Sequence, residues 1–155
     1  MSNRDVTEGR YATCAECGAT DLDGLDCQGM FGVLLAWEWQ DPELLSVHFL
    51  TVGSYQLQHP ASLTDDAVDG LRTAFSRFLD GELTTEQIRA QTASAYDGAG
   101  RVRRRAGDIQ PRLRTWSMTV ADVYAGGQAG AAARVRDWAQ VVRSQGEQGR
   151  TEQIT

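Results

Sequence analysis

All three cysteines and both histidines of this chain lie within residues 14–59, and the 96 residues that follow contain neither type. Cys14 and Cys17 form a Cys-x-x-Cys pair followed by Gly18, a tight turn in which two thiolates can bind one ion, and a third thiolate follows at Cys27. Structural zinc is bound by four tetrahedral sulfur and nitrogen ligands, and three cysteines with one histidine are a common set. The pattern therefore predicts a zinc site that constrains the N-terminal third of the chain.

Two histidines compete for the fourth position of this site. His48 and His59 are eleven residues apart, which is about 16 Å along a continuous helix, so one ion cannot bind both. Side chains of a helix lean toward its N-terminus. In an antiparallel helical hairpin, Cys27 and His59 would therefore lean toward each other, whereas His48 would lean away. We predict that the ligands are Cys14, Cys17, Cys27 and His59, with His48 as the alternative fourth ligand.

Cysteine usage and hydropathy indicate a cytoplasmic protein. An odd number of cysteines with a Cys-x-x-Cys spacing fits metal binding in a reducing compartment better than a disulfide framework. The chain has no run of about 18 apolar residues, so we expect no membrane span. Its N-terminus, Met-Ser-Asn-Arg-Asp, lacks the basic and then apolar pattern of a secretory signal.

Hydrophobic periodicity predicts a mainly α fold, a compact bundle of about five helices with an N-terminal Cys-x-x-Cys zinc knuckle loop. The polar residues 1–26 form the loop, and the densely apolar segment 27–40 forms the first helix. Asp41-Pro42 supplies an N-cap and a proline at the first helical position. We expect the second helix to run without interruption from there to residue 58, because the residue before Pro60 is disfavoured in a helix.

Capping patterns mark the helices that follow. Ser62-x-x-Asp65 resembles a capping box at the start of a third helix, which Gly81 ends, and Thr84-x-x-Gln87 opens a shorter fourth helix to about residue 95. Residues 97–114 are expected to be irregular.

Two more segments complete the predicted organisation. Thr119-x-x-Asp122 caps a short segment, and the amphipathic segment 131–144 forms the last helix. We assign residues 1–145 to a single zinc-binding helical domain and expect residues 146–155 to be a disordered tail.

Charge is distributed unevenly along the chain. Residues 1–97 carry 16 acidic side chains and 5 arginines, whereas residues 98–155 carry 5 acidic side chains and 10 arginines. A cluster of arginines lies in the second part, at Arg101, Arg103, Arg104, Arg105, Arg112 and Arg114. Because the formal net charge is −6, we do not expect a nucleic-acid partner. We expect the arginines to pair with the acidic half or with a second copy of the chain, and contact with phosphate groups is the less favoured alternative.

Two functions remain open at this stage. In the first, the zinc ion is structural and the domain acts by binding a partner, either a protein or a small molecule. In the second, the protein is a zinc-dependent enzyme, hydrolytic or acting on a small molecule, with a pocket beside the metal lined by His48, Tyr55 and Glu38. The enzyme needs an open coordination position for a zinc-bound water, and Glu38 or His48 would then transfer protons.

Several motifs of the chain occur together in a known pattern. Cys14-x-x-Cys17-Gly18 is followed by Cys27, and residues 48–60 have the sequence HFLTVGSYQLQHP. These segments, together with 118–123 and 135–139, resemble an uncharacterised bacterial family filed as a domain of unknown function. That family has the stretch His-x-Leu-Thr-Val-Asp-x-Tyr-x-x-Gln-His-Pro, in which Gly53 of this chain replaces the usual aspartate. The resemblance implies the fold and the Cys/His site, and it implies no known activity.

Overall fold

The computed structural model of the chain describes residues 12–97 and 102–154, with side chains in 12–92 and 102–147. The first eleven residues of the predicted loop, Arg101 and Thr155 lie outside the described residues. No helix in the described ranges is long and apolar enough to cross a membrane.

The described residues form seven α-helices and no β-strand, which confirms the mainly α prediction. The helices are α1 (Cys27–Trp37), α2 (Pro42–Ser46), α3 (His48–Gln58), α4 (Asp65–Leu79), α5 (Thr85–Asp97), α6 (Val120–Ala125) and α7 (Ala131–Ile154). Short 3₁₀ turns lie at Glu38–Gln40, Pro60–Ser62 and Ala106–Asp108. Five of these helices have seven residues or more, in agreement with the bundle of about five that the sequence predicts. The two shorter ones arise because segment 42–58 forms two helices and the short segment after residue 119 forms its own.

Helix α3 lies at the centre of the fold and contacts α1, α2, α4 and α7. Helix α7 covers the other side of the core and also contacts α2, α4 and α6. The close approach of α3 to α4 depends on Gly53, because a Cβ atom at this position would lie 2.7 Å from Cδ2 of Phe75. The core between these helices contains the fully buried side chains of Met30, Leu34, Leu44, Phe75, Val120, Val123, Val135 and Trp138.

The predicted continuous helix over residues 42–58 is wrong. Helix α2 ends at Ser46, and α3 begins at His48, because Val47 leaves the helical region with φ −107° and ψ 18°. The bend keeps Leu44, Val47 and Leu50 all buried in the core. It contains neither glycine nor proline, so the sequence carried no breaker at the point where burial redirects the chain.

Of the three helix starts predicted from capping-box patterns, two are confirmed. Thr84 and Gln87 exchange hydrogen bonds between side chains and backbone, and Thr119 does the same with Asp122. The third is wrong: Ser62 lies in a 3₁₀ turn, and α4 is capped by the side chain of Thr64, which accepts a hydrogen bond from the N–H of Ala67 at 3.3 Å. Thr64 is suited to this position by its extended backbone, with φ −71° and ψ 159°.

The last helix is longer than expected. It continues beyond residue 144 to Ile154, through the segment that the sequence assigned to a disordered tail. Residue 145 is tied to the rest of the fold at this point. The side-chain amide of Gln145 forms hydrogen bonds with both the N–H and the hydroxyl of Ser117. The backbone carbonyl of Gln145 accepts a hydrogen bond from the side chain of Arg114. These contacts, with a segment about thirty residues away in the sequence, hold α7 at the point where the sequence pattern predicted that it ends.

Candidate metal centre

The Cys-x-x-Cys segment forms a tight hydrogen-bonded loop. The N–H of Cys14 donates to the carbonyl of Ala19 at 2.9 Å, and the N–H of Gly18 donates back to the carbonyl of Cys14 at 3.1 Å. Gly18 has a φ of 76°, a left-handed conformation that glycine adopts without strain. Within this loop, the N–H groups of Glu16 and Ala19 each lie 3.4 Å from a sulfur, those of Cys14 and Cys17 respectively. The backbone thus orients both thiol groups.

The third cysteine and His59 come from the ends of two helices. Cys27 is the first residue of α1, which Asp26 caps by accepting a hydrogen bond from the N–H of Gly29 at 2.7 Å. His59 directly follows the last residue of α3, and its Nδ1 lies 2.6 Å from the carbonyl oxygen of Tyr55. A carbonyl can only accept, so the proton lies on Nδ1 and Nε2 is directed to the sulfurs.

Four ligand atoms converge as a result. The Sγ atoms of Cys14, Cys17 and Cys27 and a ring nitrogen of His59 all lie within 4.8 Å of one another. The Nε2 atom of His59 is 3.5 Å from Sγ of Cys14 and 3.4 Å from Sγ of Cys27. Cys17 and Cys27 are buried, whereas Cys14 and His59 are half-buried, and none of the three cysteines forms a disulfide. This group of three cysteines and one histidine could bind a metal ion.

Proton sharing dominates the electrostatics of this group. The hydrogen bond between Cys17 and Cys27 raises the pKa of the Cys17 thiol and lowers the pKa of Cys27 to about 4. Burial alone would lower the pKa of His59, but its bonds to Cys27 and to the Tyr55 carbonyl outweigh burial and raise the pKa to about 9. Metal binding requires such ligands to release their protons, so a cation at the centre would replace the shared protons.

Tyr55 is the one candidate pocket residue that lies beside this group. Its hydroxyl is 3.8 Å from Sγ of Cys27, and its ring is stacked between those of Phe31 and His59, at 4.1 Å from each. Burial and the neighbouring Cys27 raise the pKa of the phenol, so Tyr55 stays neutral and can donate to the sulfur. The spacing of Tyr55 and His59, four residues on one helical face, is the sequence signal for this contact.

His48 and Glu38 lie elsewhere, paired with each other. Nδ1 of His48 is 2.7 Å from Oε2 of Glu38, whose side chain is only 7% exposed while that of His48 is 51% exposed. Burial raises the pKa of the Glu38 carboxyl, and the bond to His48 opposes the shift. Since His48 precedes His59 by eleven residues, the backbones of the two histidines are separated by about 16 Å along the helix axis, and neither His48 nor Glu38 belongs to the group of converging ligand atoms. The structure therefore does not bring His48, Glu38 and Tyr55 together in one pocket beside them.

Sequence reasoning missed the contacts that support the group from outside. The carboxylate of Glu16 accepts a hydrogen bond from the N–H of Ala61 at 3.1 Å, and the carbonyl of Glu16 accepts one from the N–H of Arg114 at 3.0 Å. These bonds join the knuckle to the segment after His59 and to the arginine-rich segment. They depend on long-range backbone placement, for which the sequence has no local signal.

Comparison with protein families identifies the family of this chain. The profile of a family of unknown function, DUF5946, matches residues 12–147. This range contains all four clustered residues, and it confirms the resemblance to an uncharacterised family. No curated protein and no solved structure matches the chain significantly.

Proposed function

We propose, from the premise that the chain belongs to this family of unknown function, that Cys14, Cys17, Cys27 and His59 bind one structural zinc ion in a helical domain that acts by binding a protein partner. One observation carries the zinc assignment. With Zn–S bonds of about 2.3 Å and Zn–N bonds of about 2.0–2.1 Å, a tetrahedral site separates sulfur from nitrogen by about 3.6 Å. The corresponding distances from His59 Nε2 to Cys14 and Cys27 are 3.5 and 3.4 Å.

The ligand chemistry and its surroundings also support zinc. Thiolate and imidazole ligands suit zinc, whereas magnesium and calcium prefer oxygen. The hydrogen bond from His59 Nδ1 to the Tyr55 carbonyl fixes the tautomer that leaves Nε2 as a ligand, a feature common to metal-binding histidines. Donors near all three sulfurs, including the hydroxyl of Tyr55 at Cys27, help to stabilise negative charge on thiolates.

The arrangement of the ligands supports a structural role. Four protein ligands complete a tetrahedron and leave no position for a reactive water. They also come from separate parts of the chain: two from the irregular loop before α1, one from the first turn of α1 and one from the end of α3. An ion bound by all four would hold the loop onto the helices, so part of the folding free energy would depend on the metal.

Metal analysis of the purified full-length chain tests this proposal. We expect about one zinc per chain, with Cys17→Ser and His59→Ala each lowering zinc affinity at least tenfold in competition with a chelator. His48→Ala is the matched control, since it removes the other histidine about 16 Å away, and it should keep zinc. A chain without stoichiometric metal, or equal losses in the two histidine variants, would overturn the assignment.

Cobalt substitution separates a structural site from an open one. A tetrahedral thiolate-rich visible spectrum that azide leaves unchanged would agree with four protein ligands. A spectrum that azide perturbs would indicate an exchangeable position and would contradict the structural role. A strong chelator should also lower the melting temperature, and an unchanged melting curve after complete metal removal would contradict that role as well.

Exposed apolar side chains support the partner-binding part of the proposal. Trp39 is 90% exposed and Leu45 is 55% exposed, on either side of the turn at Asp41 and Pro42 that joins α1 to α2. Tryptophan is one of the three residue types, with tyrosine and arginine, that are enriched among energetically dominant interface contacts. The turn that carries it is fixed, because the Asp41 carboxylate accepts a hydrogen bond from the N–H of Leu44 at 3.2 Å.

Site-specific photo-crosslinking tests this surface. A photoreactive residue at position 39, introduced in the cells that make the protein, should give a discrete protein adduct that Leu45→Ser weakens. The same residue at position 136, an exposed arginine on α7, is the control and should not give that adduct. No adduct, or equal adducts from both positions, would contradict binding through Trp39. An adduct of two identical chains would identify the partner as a second copy.

A further inference from the structure

The three cysteines of the metal centre differ in their access to solvent. Cys17 and Cys27 are buried, whereas Cys14 is half-buried. The residues on either side of Cys14 in the chain, Thr13 and Ala15, are exposed. A reagent dissolved in water therefore reaches the sulfur of Cys14 before it reaches the other two. The zinc assignment alone makes no use of this difference.

The three sulfurs are also close enough to form a disulfide after a small movement. All three Sγ atoms lie within 4.8 Å of one another, and a disulfide bond is about 2.05 Å long, so any pair must approach by about 3 Å or less. None of the three forms a disulfide in the structure. An accessible cysteine beside a second cysteine is the arrangement typical of cysteines that sense oxidants.

The backbone favours Cys17 over Cys27 as the partner of Cys14. Cys27 lies in the first turn of α1, where Asp26 caps the helix, and its sulfur is 3.8 Å from the hydroxyl of Tyr55. Cys17 lies in the same turn as Cys14, outside any helix. The thiol of Cys17 also shares a hydrogen bond with Cys27, so contacts between the sulfurs do not decide the pairing. Backbone movement does, because Cys17 can approach Cys14 without disturbing α1.

We propose that the metal centre is also a redox switch, in which a hydroperoxide oxidises Cys14 and Cys17 to a disulfide. This inference rests on the proposed zinc site. The thiolate sulfur of Cys14 attacks the O–O bond of the hydroperoxide and becomes a sulfenic acid, while the other oxygen takes up a proton and leaves as an alcohol, or as water from hydrogen peroxide. The thiolate of Cys17 then attacks the sulfur of Cys14. The S–S bond forms, the S–O bond breaks, and the hydroxide takes up a second proton to leave as water. The two sulfurs together lose two electrons, which the hydroperoxide gains.

Glu16, which lies between the two cysteines in sequence, connects this reaction to the rest of the fold. Its N–H lies 3.4 Å from Sγ of Cys14. Its carboxylate accepts the N–H of Ala61, and its carbonyl accepts the N–H of Arg114. The disulfide removes two of the four proposed ligands and redirects the sulfur of Cys14. Oxidation should therefore release the zinc and loosen the knuckle from the segments at Ala61 and Arg114, and reduction should restore both.

Treatment of the zinc-loaded full-length chain with hydrogen peroxide tests the inference. We expect release of the bound zinc together with the loss of two thiols per chain, and a peptide map in which the disulfide joins Cys14 to Cys17. Dithiothreitol with added zinc should reverse both changes. A main product with Cys27 in the disulfide, or oxidation of Cys14 without any disulfide, would overturn the proposal.

Measurement of zinc before the peroxide is added separates this inference from the zinc assignment. A chain that holds zinc at the start and keeps it in peroxide contradicts the switch alone. A chain that holds no zinc at the start contradicts the zinc assignment and the zinc-release part of the switch, and the peptide map still decides whether Cys14 and Cys17 form the disulfide.

Cys14→His removes the reactive sulfur but keeps four sulfur and nitrogen ligands, in a set of two cysteines and two histidines that also binds structural zinc. Because only the buried cysteines remain, peroxide should release zinc and consume thiols about tenfold more slowly, or slower still, than in the wild type. Loss of thiols can be followed in this variant whether or not it binds zinc. His48→Ala lies outside the ligand group and is the control, which should react at the wild-type rate. Equal rates of thiol loss in Cys14→His and the wild type would show that Cys14 is not the reactive residue.

Discussion

Removal of the imidazole of His48 should destabilise the fold through its buried partner, Glu38. Oε2 of that carboxylate bonds to His48 at 2.7 Å, while Oε1 is buried with no hydrogen-bond partner among the described residues. His48→Ala therefore leaves a buried carboxylate without its one partner. An unsatisfied buried polar group costs about 1–3 kcal/mol, and removing one side of a buried ion pair costs about 3–5 kcal/mol. Because His48 is half-exposed and water can partly replace it, we expect a loss of about 2 kcal/mol.

The loss should depend on pH with a defined sign. Burial raises the folded-state pKa of Glu38, so the folded protein binds this proton more tightly than the unfolded chain. The stability that comes from this proton is fully present below the unfolded pKa of about 4.3 and is lost as pH rises through the folded pKa. The bond to His48 opposes the pKa rise, so its removal raises the folded pKa further. The destabilisation of His48→Ala should consequently grow as pH rises above the unfolded pKa of Glu38.

Thermal or urea unfolding of the wild type, His48→Ala, Glu38→Gln and the double variant measures the effect. For a domain of this size, about 2 kcal/mol corresponds to about 4–8 °C in melting temperature. In the Glu38→Gln background there is no buried carboxylate that could be left without a partner. His48→Ala should therefore lower the free energy of unfolding clearly less in this background, and the loss should be nearly independent of pH. Equal costs in both backgrounds, or a cost in the Glu38 background that does not change with pH, would refute the reasoning.

Two other positions have definite expected outcomes. Gly53→Ala should lose about 1–3 kcal/mol by overpacking against Phe75, despite the higher helix propensity of alanine. The control is Gly70→Ala on α4, where a Cβ meets no atom within 4 Å, and it should gain up to about 1 kcal/mol in urea unfolding. Gln58→Leu should lose about 1–3 kcal/mol, because Gln58 accepts a hydrogen bond from the buried Trp138 indole at 3.1 Å and donates one to a carbonyl at 2.8 Å. An unfolding midpoint equal to wild type in Gln58→Leu or Gly53→Ala would contradict these contacts.

The sequence predicted helices and caps best where the signal is local. The capping boxes at Thr84 and Thr119 and the proline after Asp41 all mark helix starts in the structure. Local signals failed where long-range contacts determine the backbone. Val47 bends the chain because burial of its neighbours favours the bend, and α7 passes through Gly146 because Gln145 is held by the segment at Ser117. Neither contact can be inferred from periodicity.

The arginine cluster shows what charge counting can and cannot predict. Pairing of the basic segment with the acidic half is observed for Arg104 and Asp65. Arg114 behaves differently: its guanidinium bonds to a carbonyl of α7 and lies 4.2 Å from the ring centroid of Trp116. Opposite net charges of two segments therefore indicate attraction, but backbone carbonyls and aromatic rings compete with carboxylates for each arginine.

His59, not His48, lies near the cysteines even though the helix predicted over residues 42–58 is interrupted at Val47, and the reason is the register of α1 on α3. Cys27 contacts His59, Phe31 stacks on Tyr55, and Glu38 bonds to His48. From pair to pair, the residue number rises by four and then seven along the first segment and falls by four and then seven along the second. The two segments are therefore antiparallel, and the contacts lie on one face of each.

The three pairs form a line of contacts between the two segments. The pairs at its two ends, Cys27–His59 and Glu38–His48, are polar, and both depend on the same register of α1 on α3. Shifting α1 along α3 by one turn, about 5.4 Å, would separate Cys27 from His59 and Glu38 from His48 at the same time. A purely apolar contact line would tolerate such a shift far better, because apolar contacts are not directional. The proposed zinc ligands and the buried Glu38–His48 pair thus select the same alignment independently. It follows that His48→Ala should loosen one end of the line while zinc, bound at the other end, still fixes the register.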